Sequence, residues 1–179
     1  PFDAELFGHW WFEGPQFLSQ LFIKSKKEGI KLITLKEALQ LKSQIQLCNP
    51  SPSSWGQGGF HNYWLNESNA WIVHQLSKAG REMVTICSKG IQKESNIKII
   101  KQAGRELLLC QSSDWSFILK AGTTTELARE RINIHLKRFW MLINVLKGKE
   151  VIEQNVLEEI EKEDCIFPLI SPIDWKKKI

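Results

Sequence analysis

Glu126 to Leu146 read E-L-A-R-E-R-I-N-I-H-L-K-R-F-W-M-L-I-N-V-L, and this stretch decides the fold of the longer part of the chain. Its apolar residues follow one another in steps of three or four: Ala128, Ile132, Leu136, Phe139, Ile143 and Leu146. Such steps place the side chains in one stripe along a helix of 3.6 residues per turn. The stretch therefore predicts a long amphipathic helix with one face in a core.

Two other stretches show the same helical period. One carries Ile72, Leu76, Ala79, Met83 and Ile86, and the other carries Ile100, Ala103, Leu107 and Cys110. Gly90, Gly122 and Gly148 separate the stripes, and residues 150–163 predict a weaker, acidic helix. Thr123 and Glu126 stand three apart, which predicts a capping box at a helix start. From residue 64 onward we expect a bundle of three long helices and one shorter helix.

The beginning of the chain has a different pattern of predicted secondary structure. Residues 1–10 predict a short strand, residues 16–28 a helix, residues 31–35 a second strand and residues 36–42 a short helix, which is typical of an α/β layer. Residues 43–63 are rich in proline, glycine and serine and predict a loop of the kind that often carries function. We therefore divide the chain into segments 1–42, 43–63 and 64–179.

Composition excludes several classes of protein. The formal net charge is +4, and the basic residues are scattered apart from short runs such as Lys176–Lys178. This pattern favours a solvated surface over a nucleic-acid interface. No apolar run reaches the 18 residues of a membrane span, and no signal peptide is visible. Because the chain opens directly on an acidic and aromatic segment, we expect it to be the C-terminal part of a longer protein. The sequence leaves the oligomeric state open.

The four cysteines indicate neither a disulfide framework nor a metal site. They are Cys48, Cys87, Cys110 and Cys165, and no two of them form a CxxC pair. No cluster of histidine and cysteine has the spacing of zinc ligands. We expect four reduced thiols in a cytoplasmic protein, with Cys87 and Cys110 packed as small apolar side chains.

The segment Asp3 to Gly14 reads D-A-E-L-F-G-H-W-W-F-E-G and combines carboxylates, a histidine and paired tryptophans. Carboxylates perform acid/base chemistry and tryptophan faces stack on sugar rings, so the mixture points to a carbohydrate site. The alternative is an edge strand with solvated acids and core aromatics, and the spacing alone leaves both open. A second candidate is Trp55, whose place in the proline- and glycine-rich loop makes core packing a weak explanation.

The Asp3–Gly14 segment resembles the part of glycoside hydrolase family 57 that carries the catalytic acid. Later motifs are similar to those of the α-1,4-glucan branching enzymes within that family. They are Ser53-Ser54-Trp55-Gly56, Trp64-Leu65-Asn66, Arg105-Glu106-Leu107-Leu108-Leu109 and Gln111-Ser112-Ser113-Asp114-Trp115. The resemblance covers most of the chain, with the motifs in the same order.

The resemblance implies a mostly α-helical chain in two parts. Residues 1–42 would form the last β/α segment of a distorted (β/α)7 barrel, and residues 64–179 would form a C-terminal helical bundle beside the barrel mouth. The loop 43–63 would reach over the active site.

The resemblance also implies a retaining mechanism with two carboxylates. Asp3 matches the general acid/base, whereas the nucleophilic glutamate of the family lies earlier and outside this chain. The fragment alone is therefore expected to be inactive. The expected activity is cleavage of α-1,4 bonds and formation of α-1,6 branches in a glycogen-like α-glucan. We expect no metal and no organic cofactor.

Individual residues receive roles from this resemblance or from their surroundings. Substrate contacts are expected from Trp55, Trp64, Asp114, His9 and Trp10, with Glu5 in support of Asp3. Several of these residues also have a structural interpretation. His9 could be a core group, either Trp10 or Trp11 could face the site, Trp64 could open a helix, and Asp114 could cap one before a core Trp115. Arg105 and Glu106 could form an ion pair. Packing or surface positions are expected for Trp71, Trp140 and Trp175, and His74 and His135 receive no chemical role.

Three alternative functions stay open at this stage. The same acid and nucleophile serve 4-α-glucanotransferases and α-amylases of the family, which differ in the acceptor that reaches the glycosyl-enzyme. A non-catalytic glucan-binding helical module is the second alternative, although it has no need of a barrel-end acid. A helical interaction domain without a role in sugar binding would leave the exposed Trp55 unexplained.

Overall fold

The structure is a computed structural model and describes residues 2–41, 46–90 and 94–176. It divides into two compact units, Pro1–Pro50 and Ser51–Ile179. The segment boundaries expected from the sequence, at residues 42 and 63, stay predictions.

The described residues of the first unit form three helical elements. A 3₁₀ helix, Ala4–Phe7, is followed by α1, Gly14–Lys27, and α2, Leu35–Gln40. Pro15 lies in the first turn of α1, where its missing N–H costs nothing. Gly29, with a φ of 67°, follows the end of α1, and the Ile30 N–H donates to the Ser25 carbonyl. The helices predicted at 16–28 and 36–42 are confirmed, ending at Lys27 and Gln40, and residue 42 lies outside the described residues.

The strands predicted at residues 1–10 and 31–35 are wrong. A single strand leaves its backbone groups without partners, whereas a local turn satisfies them within the segment. The Leu6 N–H donates to the Asp3 carbonyl at 3.2 Å, and the Gly8 N–H donates to the Glu5 carbonyl at 2.9 Å. Residues 31–34 have no regular structure, and Thr34 caps α2 in a capping box with Glu37. The first unit therefore has no strand in its described residues.

The second unit is a bundle of helices. They are α3 (Ala70–Ser88), α4 (Glu94–Cys110), α5 (Ser113–Ala121), α6 (Thr125–Leu146) and α7 (Gln154–Glu163), with short 3₁₀ helices at Gln57–Gly59 and Pro172–Trp175. The mostly α-helical fold and the three long helices are confirmed. Two shorter helices are present in the described residues where one was expected, because Gly122 ends α5 with a φ of 74° and separates it from α6.

The predicted capping box of Thr123 and Glu126 is wrong. Thr124 is the N-cap of α6, and its side chain makes no cap hydrogen bond. The Thr125 N–H donates to the Thr123 carbonyl at 2.8 Å instead. The tight turn that follows Gly122 therefore shifts the helix start by one residue from the register that a capping box needs.

The apolar stripes of the long helices meet in two buried clusters. The first joins α3, α4, α6 and α7 and includes Met83, Leu107, Phe139, Ile143 and Leu157. The second joins α3, α4, α5 and α6 and includes Ile72, Cys110, Leu119, Ile132 and Leu136. Trp140 and Trp175 pack against the first cluster, and Trp71 and Trp115 pack against the second. The predicted stripes therefore identified both cores.

The chain after α7 packs onto α4 at a glycine. A Cβ atom on Gly104 would lie 2.7 Å from the Trp175 ring and 3.0 Å from the Ile170 side chain. These distances are too short for any side chain to fit without movement of its neighbours. Glycine at residue 104 therefore allows the 3₁₀ helix that carries Trp175 to lie against α4.

A polar network is buried between α4 and α6. Glu106, fully buried on α4, lies with Oε2 2.8 Å from Nδ1 of His135 on α6 and accepts at Oε1 from the buried Gln102. Asp164 Oδ2 lies 3.7 Å from the same His135 nitrogen and accepts a 2.7 Å hydrogen bond from Arg138. Every buried side-chain polar atom in the described residues has a partner. The network therefore meets the requirement that polar groups in a core be paired.

Arg105 and Glu106 do not form the ion pair that the sequence left open. Arg105 donates from Nε to the Ile166 carbonyl at 2.8 Å and from Nη1 to Gln102 Oε1 at 3.0 Å. Adjacent residues of a helix do not face each other, and the two side chains take different partners accordingly.

No described helix has both the length and the apolar character needed to cross a membrane.

We expect Glu106→Ala to lower the free energy of unfolding by about 3–5 kcal/mol, because it leaves buried polar partners uncompensated. Urea unfolding followed by circular dichroism measures the change. Lys147→Ala is the matched control, since the Lys147–Glu82 pair, at 2.8 Å, is partly exposed and should contribute less than about 1 kcal/mol. Equal losses in the two variants would contradict a structural role for the buried network.

The four thiols should differ sharply in reactivity. Burial, reinforced by the neighbouring Glu106 carboxylate, raises the pKa of Cys110 to about 12, and burial also raises the pKa of Cys87. Cys48 and Cys165 are exposed. Because the thiolate is the reactive form, we expect a thiol reagent to modify these two in the folded chain and all four after denaturation. Rapid modification of Cys110 in the folded chain would contradict its burial.

Candidate functional site

Four aromatic rings, two exposed and two half-buried, form a surface cluster in the second unit, named here the aromatic surface: Trp55, Tyr63, Trp64 and Phe117. The Trp55 ring centre lies 5.9 Å from that of Trp64, 5.7 Å from that of Tyr63 and 6.0 Å from that of Phe117. Tyr63 and Phe117 are stacked at 5.3 Å. Trp55 remains 59% exposed, and none of the four rings belongs to the two core clusters. Such a surface is typical of a ligand-binding site.

Hydrogen bonds hold the loop that carries three of these rings. The Ser54 N–H donates to the Gly59 carbonyl at 2.7 Å, and Ser54 Oγ accepts from the His61 N–H at 2.7 Å. The Trp64 indole N–H donates to the Trp55 carbonyl at 2.9 Å, which fixes the two tryptophans relative to each other. Trp64 lies in a series of turns before α3. The alternative interpretation from the sequence, that Trp64 opens a helix, is wrong.

A glycine within this loop allows the Tyr63 ring to pack closely against the backbone. Gly56 has a φ of 115°, and a Cβ atom there would lie 3.1 Å from the Tyr63 ring. Glycine is the residue that tolerates both the backbone conformation and the close approach. The Pro/Gly-rich composition that predicted a loop thus also permits the packing of the rings.

Asp114 lies in the first turn of α5, exposed, and Oδ2 accepts a 2.7 Å hydrogen bond from Ser112 Oγ. Ser112, not Asp114, is the N-cap. Trp115 donates from its indole N–H to the Leu109 carbonyl and packs against the core. The Asp114 carboxylate therefore retains acceptor capacity towards solvent, beside a helix N-terminus that favours negative charge.

The other predicted site residues lie in the first unit. Asp3 caps the first 3₁₀ helix with its backbone, and its side chain makes no cap hydrogen bond. Glu5 follows in the first turn of that helix, and both acids are exposed. The rings of His9 and Trp10, also exposed, lie 5.0 Å apart. Trp11 is half-buried and packs between Phe7 and Phe17, so of the two adjacent tryptophans Trp10 is the one available to a ligand.

The structure therefore brings the predicted residues together in two groups, one within each unit. Asp3 and Glu5 lie at the start of the 3₁₀ helix Ala4–Phe7, His9 and Trp10 lie in the turn that follows it, and Trp55 and Trp64 share the aromatic surface. The assignment of these residues and of Asp114 to a site stays a prediction. Tyr63 and Phe117 were not foreseen. Signals were present for both, since Tyr63 is the single tyrosine of the chain and Phe117 stands one helical turn after Asp114.

One group of residues in the described part of the chain has the composition of a metal site. Donor atoms of Glu106, His135 and Asp164 all lie within 4.8 Å of one another. However, Glu106 Oε2 and His135 Nδ1 are at hydrogen-bonding distance, and Asp164 is paired with Arg138. These contacts use the same atoms that would bind an ion. We therefore interpret the three residues as part of the buried structural network.

Comparison with known proteins identifies the chain over most of its length. The profile of the family described as "1,4-alpha-glucan branching enzyme, C-terminal" matches residues 75–175. A curated relative, a 1,4-alpha-glucan branching enzyme of Thermococcus kodakarensis, is 35% identical over 176 residues. That alignment covers 93% of this chain and 26% of the relative.

Solved structures agree with this match. A GH57-type branching enzyme from the hyperthermophilic archaeon Pyrococcus horikoshii superposes with a TM-score of 0.88 at 32% identity, over 100% of this chain and 35% of its own. The α-amylase AmyC from Thermotoga maritima superposes with a TM-score of 0.78 at 34% identity, over 100% of this chain and 33% of its own. The chain thus spans about a third or less of the length of these proteins.

The matched region lies in the second unit, which holds the helical bundle. It comprises more than half of the 179 residues, and the sequence-based resemblance to family 57 is confirmed. The chain belongs to the family of 1,4-alpha-glucan branching enzymes of glycoside hydrolase family 57 and represents their C-terminal part.

Proposed function

We propose that this chain is part of a retaining 1,4-α-glucan branching enzyme that cleaves α-1,4 bonds and forms α-1,6 branches in a glycogen-like glucan. The aromatic surface is the observation that carries the proposal. Trp55 and Phe117 are exposed, the loop that carries Trp55 is held by hydrogen bonds, and flat rings of this kind stack on the C–H faces of sugars. Family membership supports the same conclusion, since the curated relative is a branching enzyme.

The proposal gives Asp3 the role of general acid/base. As the acid, its carboxyl group would protonate the leaving glycosidic oxygen, and as the base it would accept a proton from the acceptor hydroxyl. Its exposure and the lack of a cap hydrogen bond are compatible with that role. Glu5 would support Asp3, and His9 and Trp10 would contact the sugar. The nucleophilic glutamate would come from the barrel region outside this chain, so the 179 residues alone would be inactive.

Trp55 and Trp64 are proposed to hold the glucan acceptor, with Asp114 as a partner for sugar hydroxyls. Branching requires that a sugar, rather than water, reach the covalent glycosyl-enzyme. An acceptor bound in a fixed position raises its effective concentration, and its apolar contacts exclude water. The fixed spacing of the two tryptophans supports this role.

A second candidate is an α-amylase or 4-α-glucanotransferase with the same acid/base. The superposition with the α-amylase AmyC favours this alternative. The difference lies in the acceptor, because an amylase transfers to water and a 4-α-glucanotransferase to a C4 hydroxyl. Product analysis therefore separates the candidates.

The two-carboxylate mechanism needs neither a metal nor an organic cofactor, and none is proposed. We also propose a cytoplasmic location, which the four free cysteines support, because thiols stay reduced in that compartment.

Asp3→Asn in the full-length enzyme should lower the rate of glycosyl transfer by about 10²–10⁴-fold, because an amide can neither donate a proton to the leaving oxygen nor accept one from the acceptor. The measurement is proton NMR of new α-1,6 signals after incubation with linear amylose. Glu28→Gln, at an exposed acid that follows α1, is the matched control and should retain activity. Substantial activity in Asp3→Asn, with an unchanged circular dichroism spectrum, would show that the acid is assigned wrongly.

Trp55→Ala in the full-length enzyme should reduce branching more than hydrolysis, since it removes the acceptor contact and admits water. The ratio of α-1,6 linkages to new reducing ends measures this shift. Trp55→Phe keeps an aromatic face and should recover part of the ratio. Equal loss of both activities in Trp55→Ala would argue against an acceptor-holding role and in favour of a general effect on the site.

A further inference from the structure

We propose that Phe117 is a further glucan-contacting residue, which extends the contacts of Trp55 and Trp64 across the aromatic surface to α5, and that Tyr63 is its positioning residue. This inference rests on the proposed function, because it takes an α-glucan chain as the ligand. It adds an aromatic contact to α5, the helix that carries Asp114, and assigns a role to two residues for which none was predicted from the sequence.

The position of Phe117 is not explained by core packing. Its neighbours on α5, Ile118 and Leu119, belong to the second core cluster or pack against it. Phe117 instead faces aromatic residues of the loop and stays 37% exposed. Its ring is tilted by 48° to that of Trp55, so the two rings form an angled pair. An angled pair of rings can contact successive sugars of a curved chain.

Tyr63 holds the Phe117 ring from one side. The two rings are nearly parallel, with an interplanar angle of 23°, whereas Trp55 meets Tyr63 edge-on at 71°. Tyr63 is half-buried and covers one side of the Phe117 ring. A ring supported in this way loses little conformational entropy when a ligand binds, which is the advantage of a preorganised site.

A buried asparagine joins the two segments at this point. The Asn69 side chain is fully buried and donates from Nδ2 to the Tyr63 carbonyl at 2.9 Å and to the Ser116 carbonyl at 3.3 Å. Ser116 directly precedes Phe117. One side chain thus fixes the backbone next to both stacked rings, and the geometry of Phe117 relative to the loop is specified independently of a ligand.

Polar groups lie on the same face of α5 as Phe117. Asp114 and Lys120 are three residues before and after it, a spacing that places side chains on one helix face, and both are exposed. Lys120 also lines a cavity of about 340 Å³ with Asn66, Glu67 and Ser68. A sugar offers apolar C–H faces and a rim of hydroxyls, and an aromatic ring between hydrogen-bonding groups matches both. This combination favours an α-glucan over a purely apolar ligand.

The test is binding of maltoheptaose to the full-length enzyme, in an Asp3→Asn background that keeps the sugar from being converted, followed by tryptophan fluorescence and calorimetry. Phe117→Ala should raise the Kd about two- to tenfold, the range expected for loss of one aromatic contact. Phe117→Leu retains apolar bulk and should also raise the Kd, because it removes the flat ring face. If circular dichroism shows that Phe117→Ala does not fold, the Kd of Phe117→Leu tests the proposed contact instead. Leu127→Ala, at an exposed apolar residue of α6, is the control and should bind like the wild type.

The outcomes separate this inference from the proposed function. If Trp55→Ala weakens binding but folded Phe117→Leu binds like the wild type, Phe117 is not a contact residue and the proposed role of Trp55 stands. If the full-length enzyme does not bind maltoheptaose, the glucan-holding role of the aromatic surface and this inference are both wrong. Equal weakening in Leu127→Ala would show that the effect is not specific to Phe117.

Discussion

The buried contact between Glu106 on α4 and His135 on α6 is the constraint on which the second unit depends. These two helices pack against each other along their length, and the apolar stripes on both sides of the contact form the two cores. A carboxylate in such a place requires a partner at a fixed position, so the contact selects one register of α4 against α6. Arg138 and Asp164 extend the same constraint to the end of α7, and Arg138 also pairs with Glu163.

The geometry of the aromatic surface depends on this packing of helices, because α5 connects the surface to the core. Leu119 anchors α5 in the second core, and Asn69 links the loop before α3 to the backbone of α5. Rings contributed by a loop would ordinarily be mobile, and mobility would cost binding free energy. Here the loop is tied to helices whose positions the cores determine. The aromatic surface is thus held by rigid elements, although most of its residues lie outside them.

The sequence predicted what depends on local periodicity and missed what depends on pairing across the chain. The stripe from Ala128 to Leu146 identified α6 and its core face, because helical period is visible in one segment. The strand expected at residues 1–10 was wrong, since strand formation requires a neighbour that local pattern cannot supply. Likewise, Trp55 was recognised from its unusual loop. Phe117 was missed because its exposure depends on which face α5 buries, and that is decided by Leu119 against distant helices.

The hydrogen bond from the Trp64 indole to the Trp55 carbonyl has a consequence for recognition. It occupies the only hydrogen-bond donor of the Trp64 side chain, so this residue can offer a ligand its ring face and nothing else. A ring face does not distinguish one glucose unit from the next along a polymer. The Trp64 ring alone would therefore not select one register of a sugar chain, and the choice of register would depend on polar groups such as Asp114. Under the proposed function, this division would let Trp64 contribute affinity while polar side chains contribute specificity.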